Sequence, residues 1–364
     1  MVSRILRTAF LFPGLAFWTA LLLLRSPILL TEAQTFQNDD QVRFAVIGDF
    51  GSGSAREAEV ARLIASWQPD FILTAGDNRY GKTTYDQVIG RFFCDWLKDV
   101  EPGAYCGGGN APRNAFFPSP GNHDYSDGQG FSEYLDYFTL PGSDFPNGSG
   151  NERYYDVRWG PVHAFLLNSN PTEPDGLDVN SRQAQWLKRA LARSDAPWQI
   201  VVFHHAPYSS ASHGSSLWMQ WPFEAWGADA VIAGHDHTYE RLQVGGIPYF
   251  VNGLGGSSIY SFRTPLPQSM VRYNGDFGAM LVEATSEQIR YRFVNRRGDV
   301  VDRYEVIGGR ARPPSPVSVG FRRKWTMRWA TLQIERGPQG WGMRICLHPG
   351  VSAKSFCWGR HLPR

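Results

Sequence analysis

The segment Gly234-His235-Asp236-His237 places two histidines two residues apart, just past the apolar run Val231-Ile232-Ala233. In an extended chain residues i and i+2 point to the same side, so two imidazoles leave one strand end together, as a metal site needs. Four other segments end alike. Asp49 follows Val46-Ile47-Gly48, and Asp77 and Tyr80 follow Phe71-Ile72-Leu73 and Gly76. Asn122 and His123 follow Gly121, and His204 and His205 follow Val201-Val202-Phe203, with His213 a few residues on. Carboxylates, an amide oxygen, a phenol and imidazoles form a hard-to-borderline donor set, better suited to iron, manganese or zinc than to copper or an iron–sulfur cluster. The donors are too many for one ion and fit two ions that share a carboxylate. Two metals about 3.5–4 Å apart can hold the attacking and leaving oxygens of a phosphoryl displacement, with a metal-bound hydroxide as nucleophile.

Short apolar strands must deliver these groups. Strands are expected over 41–49, 70–77, 154–157, 162–167, 199–203 and 229–233, and later over 248–251, 278–282, 288–294 and 300–306. Val60, Leu63, Ile64 and Trp67 have the spacing of one buried helical face, 84–98 also reads as helix, and Asn180 is a candidate cap for a helix carrying Trp186, Leu187 and Leu191. Strand–helix–strand succession predicts an α/β fold whose sheet is covered on both faces, with ligands at the carboxyl ends of the strands. Asp49, Asp77, His205 and His235 each occupy such an end. His163 stands in a strand without a partner motif and reads as structural. Gly51-Ser52-Gly53-Ser54 lacks the lysine ending of a nucleotide phosphate loop.

In this order, Gly48-Asp49-Phe50-Gly51, Gly76-Asp77-Asn78-Arg79-Tyr80, Gly121-Asn122-His123-Asp124, Val202-Phe203-His204-His205 and Gly234-His235-Asp236-His237 resemble the motifs of the calcineurin-like metallophosphoesterases. Tyr80, where other branches carry aspartate, narrows the resemblance to the purple acid phosphatases, of the small single-domain type. The resemblance implies an α/β/β/α sandwich with mixed β-sheets over residues 42–308. It also implies hydrolysis of phosphate monoesters, or alternatively of diesters such as nucleotides or phospholipids. Asp77 would bridge two metals. Asp49, Tyr80 and His237 would complete a ferric site, and Asn122, His205 and His235 a second site for Zn, Mn or ferrous iron. His205-Ala206-Pro207 matches the family's ligand before an X-Pro step, which leaves His204 facing the other side of the strand. His123 and His213 would meet the substrate phosphate or leaving group, Asn122 also lining that subsite. Asp124 and Asp236 would orient histidines. The loops 102–113, 142–152 and 208–218 would shape the substrate.

Of the 364 residues 42% are hydrophobic and 19% charged, a globular composition. The net charge of +2 conceals an uneven spread, since residues 311–364 hold ten Lys/Arg and one acid, Glu335. This basic extension (309–364), with Trp325, Trp329, Trp341 and Trp358, would suit a membrane surface or anionic partner, or be a poorly ordered tail without function. The charge balance gives no ground for a nucleic-acid partner, and no protein partner is evident. Residues 1–34 read as an export signal. Arg4 and Arg7 precede an apolar run from Ala9 to Leu24, and Thr31-Glu32-Ala33 is a cleavage pattern. Uncleaved, the run would anchor the chain; either way the catalytic body is expected outside the cytoplasm, secreted or periplasmic. Export permits disulfides, of which Cys94–Cys106 and Cys346–Cys357 are the simplest pairs.

Overall fold

The computed structural model describes residues 41–142 and 148–308, together with the backbone of four strands between Arg322 and Leu362. The N-terminal segment 1–34 lies outside the described residues. The chain runs through β1 (Val42–Ile47), β2 (Phe71–Thr74) and β3 (Phe116–Pro118). It then makes β4 (Tyr155–Trp159), β5 (Val162–Leu166), β6 (Trp198–His205) and β7 (Ala230–Gly234). Next come β8 (Tyr239–Val244), β9 (Ile247–Asn252), β10 (Ser269–Tyr273), β11 (Gly278–Ala284), β12 (Gln288–Asn295) and β13 (Val300–Ile307).

These strands form two mixed sheets, in the orders β13-β12-β11-β1-β2-β3 and β10-β8-β9-β7-β6-β5-β4. β1, β2 and β3 pair in parallel, as do β5, β6, β7 and β9. Parallel central strands are covered on both faces, which is why β6 has an apolar centre, Ile200–Phe203, and is buried throughout. Successive side chains alternate across it. Ile200 and Val202 join the core between the sheets with Phe44, Ile72 and Val282. Val201 and Phe203 join a second core with Leu187 and Leu191 of the helix Arg182–Arg193. Each fully buried Val, Ile, Leu or Phe contributes about 1.5–3 kcal/mol. Polar links also cross between the sheets: the Trp198 indole donates to Thr285 O at 2.6 Å, and Arg241 pairs with Asp302 at 2.7 Å. The architecture is the expected α/β/β/α sandwich.

Some elements differ from expectation. The predicted helix over 84–98 forms between Tyr85 and Trp96 but is irregularly wound, a π stretch at Asp86–Gly90 running on into an α turn at Arg91–Phe93 and a 3-10 turn at Cys94–Trp96. Asp86 there accepts from the backbone N–H of Tyr105 and Cys106, and the Cys94–Cys106 disulfide closes the same loop. These tertiary ties accompany the departure from regular α winding. Ser181, rather than Asn180, caps the helix Arg182–Arg193 by accepting from Ala184 N–H. In the extension, Arg322–Met327, Ala330–Gly337, Gly340–Leu347 and Phe356–Leu362 form an antiparallel sheet in sequence order, in which Cys346 and Cys357 are register partners. Regular backbone thus replaces the poorly ordered tail considered above. No helix among the described residues is long and apolar enough to cross a membrane.

Candidate metal centre

β1, β2, β3, β6 and β7 all release their chains at the same edge of the sandwich. Three site residues leave their strands in the left-handed region, Asp49 at φ 57°, Asp77 at 52° and His235 at 71°. Outside glycine such backbone costs about 1–2 kcal/mol. Hydrogen bonds hold it: Asp49 N–H donates to Gly76 O at 3.1 Å, and His235 N–H to Asp49 Oδ2 at 3.0 Å. The motif glycines allow the close approach. A Cβ on Gly121 would lie 2.2 Å from Asp77 Oδ1, and one on Gly76 2.5 Å from the His204 ring.

Two donor sets meet at Asp77. In the first, the Tyr80 hydroxyl lies 3.0 Å from Asp77 Oδ2, 3.4 Å from Asp49 Oδ1 and 3.2 Å from His237 Nε2. His237 Nε2 is 3.3 Å from Asp49 Oδ1. In the second, His204 Nε2 lies 3.0 Å from Asn122 Oδ1, 3.1 Å from His235 Nδ1 and 3.4 Å from Asp77 Oδ1. The far nitrogens are tied down, as ligating imidazoles require. His204 Nδ1 donates to Ala75 O at 2.9 Å, and His237 Nδ1 meets Ser258 Oγ at 2.6 Å.

The electrostatics ask for cations. Asp49 and Asp77 are both buried beside the Tyr80 phenol. Burial pushes Asp49 up, the His237 and His204 charges only partly opposing it. Burial would also raise Asp77, but the charges and hydrogen bonds of His204 and His123 outweigh it and hold that carboxyl below the usual range. Burial and the charges of Asp77 and Asp49 push Tyr80 well above an ordinary phenol. Burial opposes a charge on His204, yet Asp77 beside it raises the imidazole to about 9. Burial and the His204 charge lower both His205, to about 3, and His235. Hard anionic oxygens on one side and imidazoles on the other form a set that two cations fit.

β6 is where structure and expectation part. His204 does not face away: its Nε2 reaches the shared carboxylate. His205 comes to the site as well, its ring 4.5 Å from that of His235, and its Nδ1 is tied to Ser169 Oγ at 2.9 Å as those of His204 and His237 are tied to their partners. The register of β6 against β7 shifts between Val202 and His205, which breaks the strict alternation and lets both histidines approach. His204, His205 and His235 form one potential ligand group, and Asp49, Asp77 and His204 another.

Asp124 and Asp236 orient no histidine ring. Buried Asp124 accepts from Gly121 N–H, the Asn78 amide and the Tyr85 hydroxyl, locking two motif loops together. Asp236 accepts from Ser209 Oγ and from the N–H groups of His213 and Gly214. The exposed His213 ring stacks on His235 at 4.1 Å. His123 donates its N–H to Asp77 Oδ1 at 2.9 Å and stands 4.4 Å, ring to ring, from Tyr80. Its Nδ1 meets Asp127 Oδ2 at 2.7 Å, an i,i+4 pair legible in the sequence but overlooked there. Tyr260, stacked on His237 at 4.1 Å, comes from a loop with no motif. His163 bonds Asp156 and Ser194 outside these donor sets. Loop 208–218 borders the site, whereas 102–113 packs on Asp86, Cys94 and Leu97. Residues 143–147 lie outside the described residues.

The family model for calcineurin-like phosphoesterases matches residues 42–239, more than half of the chain. The chain belongs to this family. This phosphoesterase is 26% identical to tartrate-resistant acid phosphatase type 5 of Rattus norvegicus over 77% of its own length and 95% of that protein. It is 28% identical to purple acid phosphatase 15 of Arabidopsis thaliana over 59% of itself and 45% of that protein. Among solved structures it resembles the purple acid phosphatase PPD1 of yellow lupin, with TM-score 0.58, 18% identity, and 73% and 54% of the two chains covered. It also resembles GAP50, the anchor in the inner membrane complex of Plasmodium, with TM-score 0.56, 16% identity, and 74% and 89% covered. The phosphoesterase is a hydrolase with candidate metal-binding residues at its strand ends.

Proposed function

We propose that this phosphoesterase is an exported two-metal acid phosphatase that hydrolyses phosphate monoesters. The carrying observation is that Asp77 turns one oxygen to each donor set. Asp49, Asp77, Tyr80 and His237 would hold ferric iron, for which a phenolate is a fitting hard ligand. Asp77, Asn122, His204 and His235 would hold Zn, Mn or ferrous iron, with His205, first expected as the ligand, a further candidate beside His204. When bound, the metals would neutralise phosphate charge and make water nucleophilic near neutral pH.

The chain's own groups do the rest. His123, from the helical turn Asn122–Ser126, and His213, from loop 208–218, flank the donor sets and would meet a phosphate oxygen and the leaving group. Asp127 holds the His123 ring by its Nδ1, which leaves Nε2 to face the substrate. Asn122, whose Oδ1 lies 3.0 Å from His204 Nε2, would both ligate a metal and line the phosphate subsite. The N-terminal apolar run and the Cys94–Cys106 disulfide support export. The basic extension is proposed as a contact for an anionic surface.

Metal analysis with a visible spectrum, alongside turnover of aryl phosphate monoesters and diesters, tests this. Iron-containing coloured protein that cleaves monoesters and loses its colour in Tyr80→Phe supports it. A colourless enzyme with the same spectrum in the variant would sink the ferric assignment, and faster diester cleavage the monoester preference. Absence of turnover at full metal occupancy would leave a metal-stabilised binding protein.

A further inference from the structure

Loop 208–218 and the turn after it carry a second feature at the site. In the turn Leu217–Met219 and its continuation, Met219 and Trp221 are buried in the core beneath β6 and β7, whereas Trp218 remains 43% exposed. Its indole N–H donates to Ser169 O at 3.2 Å, and Ser169 Oγ in turn meets His205. The ring is therefore held in place and lies 5.6 Å from the His205 ring. From there the rings run without a break to the donor sets: His205 to His235 at 4.5 Å, and His235 to His213 at 4.1 Å. His213 continues to Tyr260 at 5.3 Å, and Tyr260 stacks on His237. Leu217 beside Trp218 and Ile259 beside Tyr260 are exposed too, by 72% and 37%. Scattered surface aromatics need no explanation. A fixed aromatic joined to the metal-binding histidines by ring contacts, with apolar neighbours on both flanking loops, has a position that fits a substrate.

We propose that Trp218 is a specificity residue, the wall against which the leaving group of the substrate lies. The favoured substrates are then phosphate esters of flat aromatic alcohols rather than of small aliphatic ones. The inference rests on the phosphatase reading above and adds the substrate class. A fixed indole face offers a planar ring area to stack on at little conformational cost, whereas a small polar alcohol gains nothing from it. One aromatic pair gives about tenfold in affinity.

Phosphonates isolate this contact, because they bind without a leaving group to expel. Inhibition constants for phenylphosphonate and methylphosphonate, with calorimetric binding of both, are to be measured on the full, metal-containing chain. The set is wild type, Trp218→Ala, Trp218→Leu and Trp218→Phe. Wild type is expected to prefer the phenyl compound by about tenfold; Trp218→Ala and Trp218→Leu bring the ratio near one, and Trp218→Phe keeps most of it. KM values for phenyl phosphate and adenosine 5′-monophosphate then separate a ring on the ester oxygen from one carried further out. If esters are turned over but the phosphonate ratio is near one in wild type, or unchanged in Trp218→Leu, Trp218 is only a surface aromatic and the inference falls alone. If no ester is turned over and neither phosphonate binds, the phosphatase reading falls and takes this one with it.

Discussion

Glu57 tests how the loop behind Asp49 is held. Its Oε2 accepts from Gly53 N–H at 2.6 Å, and Oε1, also buried, has no hydrogen-bond partner among the described residues. Burial pushes the carboxyl from 4.5 to about 9, the backbone N–H groups of Gly53 and Ser52 only partly opposing it. Across that window the native chain keeps a proton that the unfolded chain has released. Its stabilising contribution is therefore full below about pH 4.5 and is lost as the pH rises towards about 9. Each unit costs about 1.4 kcal/mol, which makes about 3 kcal/mol by neutral pH. Glu57→Gln keeps a carbonyl oxygen for Gly53 and cannot ionise. Urea unfolding of both chains from about pH 5 to about pH 8 cancels the other titrating groups, and the stability of Glu57→Gln relative to wild type should rise by about 1.4 kcal/mol per unit. A gap flat to within about 0.5 kcal/mol over this range would refute the claim that burial holds Glu57 protonated.

The two β6 histidines should separate by elemental analysis. His204→Ala should retain only the metal of the Tyr80 set and lose at least about a hundredfold in activity, whereas His205→Ala keeps both metals with at most about tenfold weaker affinity; the reverse pattern would restore His205 as the ligand. Asp77→Asn should deplete both metals together and abolish ester turnover, and near-normal turnover would refute the bridging role. Gly121→Ala forces a methyl to 2.2 Å from Asp77 Oδ1, so it should lose about 1–3 kcal/mol in denaturant unfolding and bind metal more weakly; wild-type values on both would show that the loop yields freely.

The α/β character and most of the candidate donors were legible in the chain itself, because apolar runs that stop at Gly-Asp, Gly-Asn or Gly-His are local features; the two-sheet sandwich was implied by the family resemblance. Burial on both faces makes a central strand uniformly apolar, and the first polar residue beyond it stands at the sheet edge. That logic finds Asp49, Asp77, Asn122 and His235 without coordinates. It finds the helix over 86–96 but not its irregular winding, where Asp86 and Cys94 meet residues of the 102–113 loop. Nor does it reveal that Asp124 and Asp236 brace loops, since a carboxylate beside a histidine in sequence can turn its oxygens to quite different partners in space. The strand extension went unseen because the basic charge and absence of a known motif were weighed above its alternating residues. The choice between His204 and His205 was the finest distinction. Neighbours on a regular strand face opposite ways, so sequence admits one of them. The register shift between β6 and β7 is a property of two strands together, and it brings both imidazoles to the site while Ala75 O and Ser169 Oγ decide which nitrogen each has free.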